Sequence, residues 1–367
     1  MKILCSRQQL VEAVTNVQRA VSTKSSVPAL EGILLRTSAG ELTLCGYDLE
    51  LGMTTAIEAA IQESGSVVLG AKLFSDIVRR LPGEEVSLAV DEKNITTITS
   101  GASEFSIVGI PADEYPDLPA LGRKDSVTIA QNILKSMIRQ TIFAVAENDA
   151  KPIHTGTLFE LGDGKLRLVS VDGYRLAIRE ENAPCEGKMS FVVPGKTLGE
   201  VLKLLRDDDT PAELRVGRRH IQIQIDSYCV TSRLLEGEFL DYRAAIPRES
   251  TTEILVNTRE FIGSVERVSL LITDRLKSPL RCRFEDGEIR LSCSTAIGRA
   301  TDQFAAAITG APVEMGFNNR YLLDALRNSE GDEVKIQLGG PLSPMKVLPK
   351  EGADYLFLVL PVRLKTE

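Results

Sequence analysis

The 367 residues carry 43 basic and 51 acidic side chains, a net charge of −8, and 43% apolar residues, the composition of a globular protein with enough chain for two or three cores. Two histidines exclude a histidine-rich metal centre, and the lack of tryptophan leaves little for a base-stacking surface. No apolar run approaches the ~20 residues of a membrane helix, the start Met1-Lys2-Ile3-Leu4-Cys5 has no signal-peptide stretch, and the six cysteines form no CxxC pair; a cytoplasmic protein with reduced thiols is expected, without membrane, metal or other cofactor.

Helical spacing opens the chain. Over residues 7–20, Leu10, Val14, Val17 and Val21 fall on one face. Strands are predicted at 32–36, 41–45 and 50–56, a second helix at 71–81, and short strands at 86–90, 95–100 and 104–108. After a link at 119–125 the order starts again: a helix at 131–144 with Ile133, Met137, Ile138 and Ile142 on its apolar side, strands at 156–160, 166–171 and 175–180, and a helix at 196–206. A link at 247–252 precedes the third round, with helices at 259–270 and 318–327.

The rounds share wording. Gly40-Glu41-Leu42-Thr43-Leu44 returns as Gly164-Lys165-Leu166-Arg167-Leu168 and Gly287-Glu288-Ile289-Arg290-Leu291, offset by 124 and 123 residues, while Lys72, Lys196 and Arg320 are spaced by 124 and 124. A period this long marks whole domains. The expected fold is α+β, with three repeated domains (1–121, 125–247 and 250–367) of two helices and antiparallel sheets each.

Charge is unevenly placed. The six helical windows hold fourteen basic and six acidic residues, a net +8, which leaves −16 for the rest of the chain. Basic helix faces usually mean solvated surface, but here Lys72, Arg79, Arg80, Lys196, Lys203, Arg206 and Arg320 recur on the second helix of each repeat. Such a set without base-reading side chains suits sequence-independent contacts to DNA phosphates.

No nucleotide-binding GxxxxGKS/T loop, GxSxG elbow or HExxH pair is present, Gly339-Gly340-Pro341 reads as a turn, and Asp207-Asp208-Asp209 reads as a solvated loop. A non-catalytic protein is expected. Two other readings stand beside it: an open, salt-sensitive DNA-binding scaffold, and a three-domain enzyme with an inter-repeat site built on Asp172, Tyr174 and Arg175.

Several motifs occur in order: Ser26-Val27-Pro28-Ala29-Leu30, Gly46-Tyr47-Asp48-Leu49-Glu50, Ile110-Pro111-Ala112-Asp113-Glu114-Tyr115-Pro116-Asp117-Leu118, Val171-Asp172-Gly173-Tyr174-Arg175-Leu176-Ala177, Gly237-Glu238-Phe239-Leu240-Asp241-Tyr242 and Leu360-Pro361-Val362-Arg363-Leu364. With the threefold period, the chain resembles the bacterial sliding clamp family, the β subunit of DNA polymerase III, over essentially its whole length. The resemblance implies a head-to-tail homodimer that closes as a ring around double-stranded DNA, is opened by a clamp loader, and tethers DNA polymerases and other proteins through clamp-binding peptides. It implies that Lys24, Asn148 and Lys196 approach DNA, and that Phe105 and Ile107 meet Leu271 and Ile272 of a second copy; read without the family, Phe105 and Ile107 fit a core-facing alternation equally well. It also implies a peptide cleft at His154, Val171, Gly173, Tyr174, Arg175, Leu176, Leu240, Leu358, Leu360, Pro361, Val362 and Arg363, with Pro361 ending the last strand on a sheet edge.

The chain departs from the family pattern in places. His154 replaces an aliphatic cleft residue, Leu240 the proline of Phe-Pro-Asp-Tyr, and Ala244 and Ala245 a bulkier pair, while Lys365, Thr366 and Glu367 extend the usual end. A packing role is expected for His154.

Overall fold

The computed structural model describes residues 1–121, 126–148, 151–184, 187–273, 275–276 and 278–364. Cys185, part of the first link and the tail of Lys365, Thr366 and Glu367 lie outside the described residues. Among the described residues there are six α-helices: α1 (Arg7–Val17), α2 (Ala71–Arg80), α3 (Gln131–Ile142), α4 (Gly195–Leu204), α5 (Thr258–Ser269) and α6 (Asn319–Arg327). Helix α1 ends earlier than its apolar spacing suggests. Leu10, Ala13, Val14 and Val17 are buried, but the chain then tightens into a 3₁₀ turn over Gln18–Ala20, which takes Val21 off the helix face.

Strands join into antiparallel sheets that do not respect the repeats. The chain divides into two compact units, one of Met1–Asn132 with Gly199–Leu234 and the other of Ile133–Leu198 with Leu235–Glu367, so two boundaries fall inside α3 and α4 and the third just after the strand Tyr228–Arg233. In the first unit, twelve strands form one sheet whose pivot is Leu51–Glu63, a strand of 13 residues. Its length serves two sets of partners: Cys5 pairs with Ala59 towards one end, and Cys229, from the second repeat, pairs with Thr54 towards the other. In the second unit the strand Arg175–Asn182 pairs with Tyr355–Val359, so that second-repeat and third-repeat strands lie in one nine-stranded sheet. A four-stranded sheet carries Leu280–Glu285 and its neighbours; α5 packs on these strands and α6 on α5 and on Tyr355–Val359, over a core that includes Phe261, Phe284, Phe317, Leu322 and Phe357.

The repeated Gly phrase proves to be a two-residue hairpin turn. Ala39 and Gly40 have φ of 45° and 87°, Asp163 and Gly164 of 54° and 75°, and Asp286 and Gly287 of 51° and 75°. The flanking pairs Ser38 with Glu41, Gly162 with Lys165, and Glu285 with Glu288 close each turn. Two consecutive positive φ values are what a tight hairpin of right-twisted strands demands, and glycine meets that demand without steric cost. No helix among the described residues is long and apolar enough to cross a membrane.

Candidate functional site

In the second unit the strand Lys165–Val171 ends in a turn at the first of the expected cleft residues. Asp172 Oδ1 accepts hydrogen bonds from the backbone N–H groups of Tyr174 (2.9 Å) and Arg175 (3.0 Å), and Gly173 at φ 91° lets the chain reverse. The reversal sends Tyr174 outward, 61% exposed, and Arg175 inward, 7% exposed. Arg175 donates through Nε to Asp172 Oδ2 at 2.9 Å and through Nη1 to Asp324, and its guanidinium lies 4.6 Å from the ring centroid of Tyr321 and 5.7 Å from that of Phe143. A buried cation held by two carboxylates and two rings fixes α6 to the turn. Tyr174 stacks on Tyr321 at 5.9 Å and 24°. Arg175 therefore anchors the turn that carries Tyr174.

Beside this turn lies a cluster of buried apolar side chains. Val171, Leu176 and Leu358 are buried together with Ile153, Leu158, Val169, Val192 and Tyr242. Strand register brings Leu176 opposite Leu358, and the next ladder step is Leu360 N–H to Tyr174 O at 2.9 Å. Tyr174, Leu240, Leu360 and Val362 are exposed. His154 sits edge-on to Phe239, ring centroids 5.4 Å apart, and burial, followed by the nearby Lys151 charge, lowers its pKa below the ordinary 6.5. The neutral, packed imidazole agrees with the expected packing role.

Pro361 behaves differently from the expectation of an edge. The strand Tyr355–Val359 lies inside its sheet, between Arg175–Asn182 and Met345–Pro349, and stops before the proline. Beyond Pro361 the chain bonds again, Val362 N–H to Gly316 O at 2.7 Å. Gly316 permits this: a Cβ there would stand 2.7 Å from both Val362 O and Leu364 Cδ2. Arg363 is exposed.

The expected DNA-facing positions divide between the units. Lys24, Lys72, Arg79, Arg80, Lys203 and Arg206 belong to the first, and Asn148, Lys196 and Arg320 to the second; all are exposed. Lys72, Lys196 and Arg320 are each the second residue of a helix, where a cation adds to the positive end of the helix dipole. Three of the basic residues have acidic neighbours: Arg80 pairs with Asp76 at 3.1 Å, Lys203 with Glu200 at 2.8 Å and Arg206 with Asp226 at 3.0 Å.

Phe105 is 39% exposed, and Ile107 is half-buried, on a strand whose side chains mostly face outward; core-facing alternation does not describe it. Leu271 and Ile272 are half-buried against the third-repeat core. Neighbouring Val108 and Leu270, each 79% exposed, went unnoticed in the sequence, as did Tyr321 and Asp324 beside Arg175. Exposure of a single aliphatic residue leaves no periodic signal, and Tyr321 meets Tyr174 only through the fold. Among the described residues no group of His, Cys, Asp and Glu could hold a metal ion, and Cys5, Cys45, Cys229, Cys282 and Cys293 are free thiols.

Comparison with known proteins covers the whole chain. Residues 1–119 match the N-terminal domain of the DNA polymerase III beta subunit, 128–241 its central domain and 243–363 its C-terminal domain. The beta sliding clamp of Bacillus subtilis is 32% identical over 99% of this chain and 100% of its own. The crystal structure of a DNA polymerase sliding clamp from Bacillus subtilis superposes with a TM-score of 0.97 at 32% identity, covering 100% of both chains. A sliding clamp from Pseudomonas aeruginosa bound to griselimycin superposes with a TM-score of 0.95 at 26% identity, over 99% of this chain and 100% of that one.

Proposed function

The chain belongs to the DNA polymerase III beta subunit family, the bacterial sliding clamps, and from that membership we propose that two copies close head to tail into a ring around double-stranded DNA and tether the replicative polymerase to it. The observation that carries this reading is the run of N-terminal, central and C-terminal family domains in order along one chain. It is a cytoplasmic, non-catalytic processivity subunit, opened by a clamp loader, with domains bounded at 1–121, 125–247 and 250–367. Phe105 and Ile107 of one copy meet Leu271 and Ile272 of the other, a contact made twice by the twofold axis.

A ring holds by topology, so its inner face needs only weak, sequence-indifferent contacts. Lys24, Lys72, Arg79, Arg80, Asn148, Lys196, Lys203, Arg206 and Arg320 supply them. The exposed pairs of Arg80, Lys203 and Arg206 with their acidic neighbours suit this duty: each is worth about 0–1 kcal/mol, so a cation exchanges readily between carboxylate and phosphate. Partner peptides insert apolar anchors into the bowl formed by Val171, Leu176 and Leu358, between Tyr174, His154 and Leu240 on one side and Leu360, Pro361, Val362 and Arg363 on the other, with Gly173 and Arg175 shaping the wall.

The ring is tested by loading the protein on nicked circular DNA with its loader, washing at high salt, then linearising. Retention through the wash followed by release from the ends is expected; departure at the wash overturns the ring in favour of an electrostatic binder.

A further inference from the structure

The first and second repeats carry equivalent cavities on the same sheet face, and their charges are handled in opposite ways. In the second repeat a cavity of about 410 Å³ is bordered by Glu160, Arg167, Glu180 and Arg243. There the charges satisfy one another. Glu160 Oε2 accepts from Tyr242 at 2.6 Å, Arg243 at 2.8 Å and Arg167 at 3.3 Å, while Glu180 accepts from Arg167 and Lys165.

One period earlier, a cavity of about 420 Å³ has a different lining. Arg36 stands where Glu160 stands, and Thr43 where Arg167 stands, the two facing each other across paired strands. The floor is apolar: Leu34, Tyr115 and Leu118 close it, with the Tyr115 hydroxyl donating to Cys45 O at 3.3 Å. Leu118 rests on bare backbone, since a Cβ on Gly52 would lie 2.1 Å from its Cδ2. Two charges remain at the exposed rim, Arg36 and Asp117. Among the described residues neither side chain makes an ion pair or hydrogen bond, with the other or with any third group.

We propose that this first-repeat cavity binds a free apolar dipeptide in its zwitterionic form, the carboxylate on Arg36, the ammonium on Asp117 and an apolar side chain over Leu34 and Leu118. Charge and size both select that class. One unpaired cation and one unpaired anion flanking an apolar floor complement a molecule with both termini and an apolar body, and the volume falls within the roughly 300–1,000 Å³ of small-molecule sites. Thr43 and Thr54 offer hydroxyls to the peptide group.

The test is calorimetric titration of the full-length protein with leucyl-phenylalanine, its N-acetyl derivative and its C-terminal amide. The free dipeptide should bind at least tenfold more tightly than either derivative. R36Q should lose at least tenfold and no longer distinguish acid from amide; D117N should no longer distinguish amine from acetamide. Both positions are exposed, so both variants should fold, which circular dichroism checks. No heat from the dipeptide, equal affinity for all three molecules, or wild-type discrimination in both variants overturns the proposal. The bowl of the second unit also takes apolar anchors, so it is the loss of discrimination in the first-unit variants R36Q and D117N that assigns binding to this cavity.

Discussion

Ala39 occupies a backbone conformation that its two counterparts assign to aspartate. At φ 45° it is the first residue of a hairpin turn whose equivalents are Asp163 at 54° and Asp286 at 51°. An L-residue with a Cβ but no local hydrogen-bonding side chain sits there at a cost of about 1–2 kcal/mol, which asparagine and aspartate partly escape. Ala39→Asn should therefore raise stability by about 0.5–1 kcal/mol, read as a higher midpoint in calorimetric melting; an unchanged or lower midpoint contradicts the account. Leu49 at φ 75° repeats the situation, for it matches Gly173 at 91° in the turn that shapes the cleft. The phrase reads from sequence as a marker of period and, at Ser38-Ala39-Gly40 and Gly162-Asp163-Gly164, as a turn; the positive φ of Ala39 does not, because alanine carries no local signal for it. His154, expected to pack where the family has an aliphatic residue, lies edge-on to Phe239.

Elements were easier to read than their ends. Six helices stand where apolar spacing put them, since a buried face every three to four residues is a strong signal. The long strand Leu51–Glu63 was read only to 56, because its second half trades alternation for a mixed burial pattern. The last segment shows why the cleft was only partly legible. Leu358, Leu360 and Val362 could be chosen from sequence, but the single backbone link of Val362 to Gly316 could not. That link belongs to a series, with Val68 to Ile110 and Val192 to Leu235 in the earlier repeats. Truncation after Val359 should abolish partner-peptide binding in fluorescence polarisation while leaving the strand Tyr355–Val359 paired; retained affinity removes the tail from the cleft. Arg175 makes a separate point. Removing a buried cation strands Asp172 and Asp324, so Arg175→Ala should lose about 3–5 kcal/mol in urea unfolding, and a loss below ~1 kcal/mol argues that the cluster is not a structural anchor.

For the whole molecule, the acidic average concealed a basic set of helices, and only position along the repeat separated the two. The proposed assembly rests on exposed apolar side chains. Val108 and Leu270, each 79% exposed, extend the two patches proposed to meet in the dimer. Val108→Glu should leave the fold unaltered by circular dichroism and increase the monomer fraction in sedimentation velocity at micromolar concentration. A variant as dimeric as the parent moves the interface elsewhere.

The sharing of sheets between successive repeats limits how such a chain can be recombined. Cutting at the repeat boundaries would strip Leu51–Glu63 of Tyr228–Arg233, and Arg175–Asn182 of Tyr355–Val359, leaving unpaired edges open to promiscuous pairing. A unit that keeps its sheet whole is discontinuous, Met1–Asn132 with Gly199–Leu234 or Ile133–Leu198 with Leu235–Glu367, so both of its pieces have to be exchanged together. Chimeras of related chains that exchange both pieces of a unit, with junctions at 132/133, 198/199 and 234/235, should stay soluble, whereas single crossovers at the links should aggregate, although the links are where the sequence itself is punctuated.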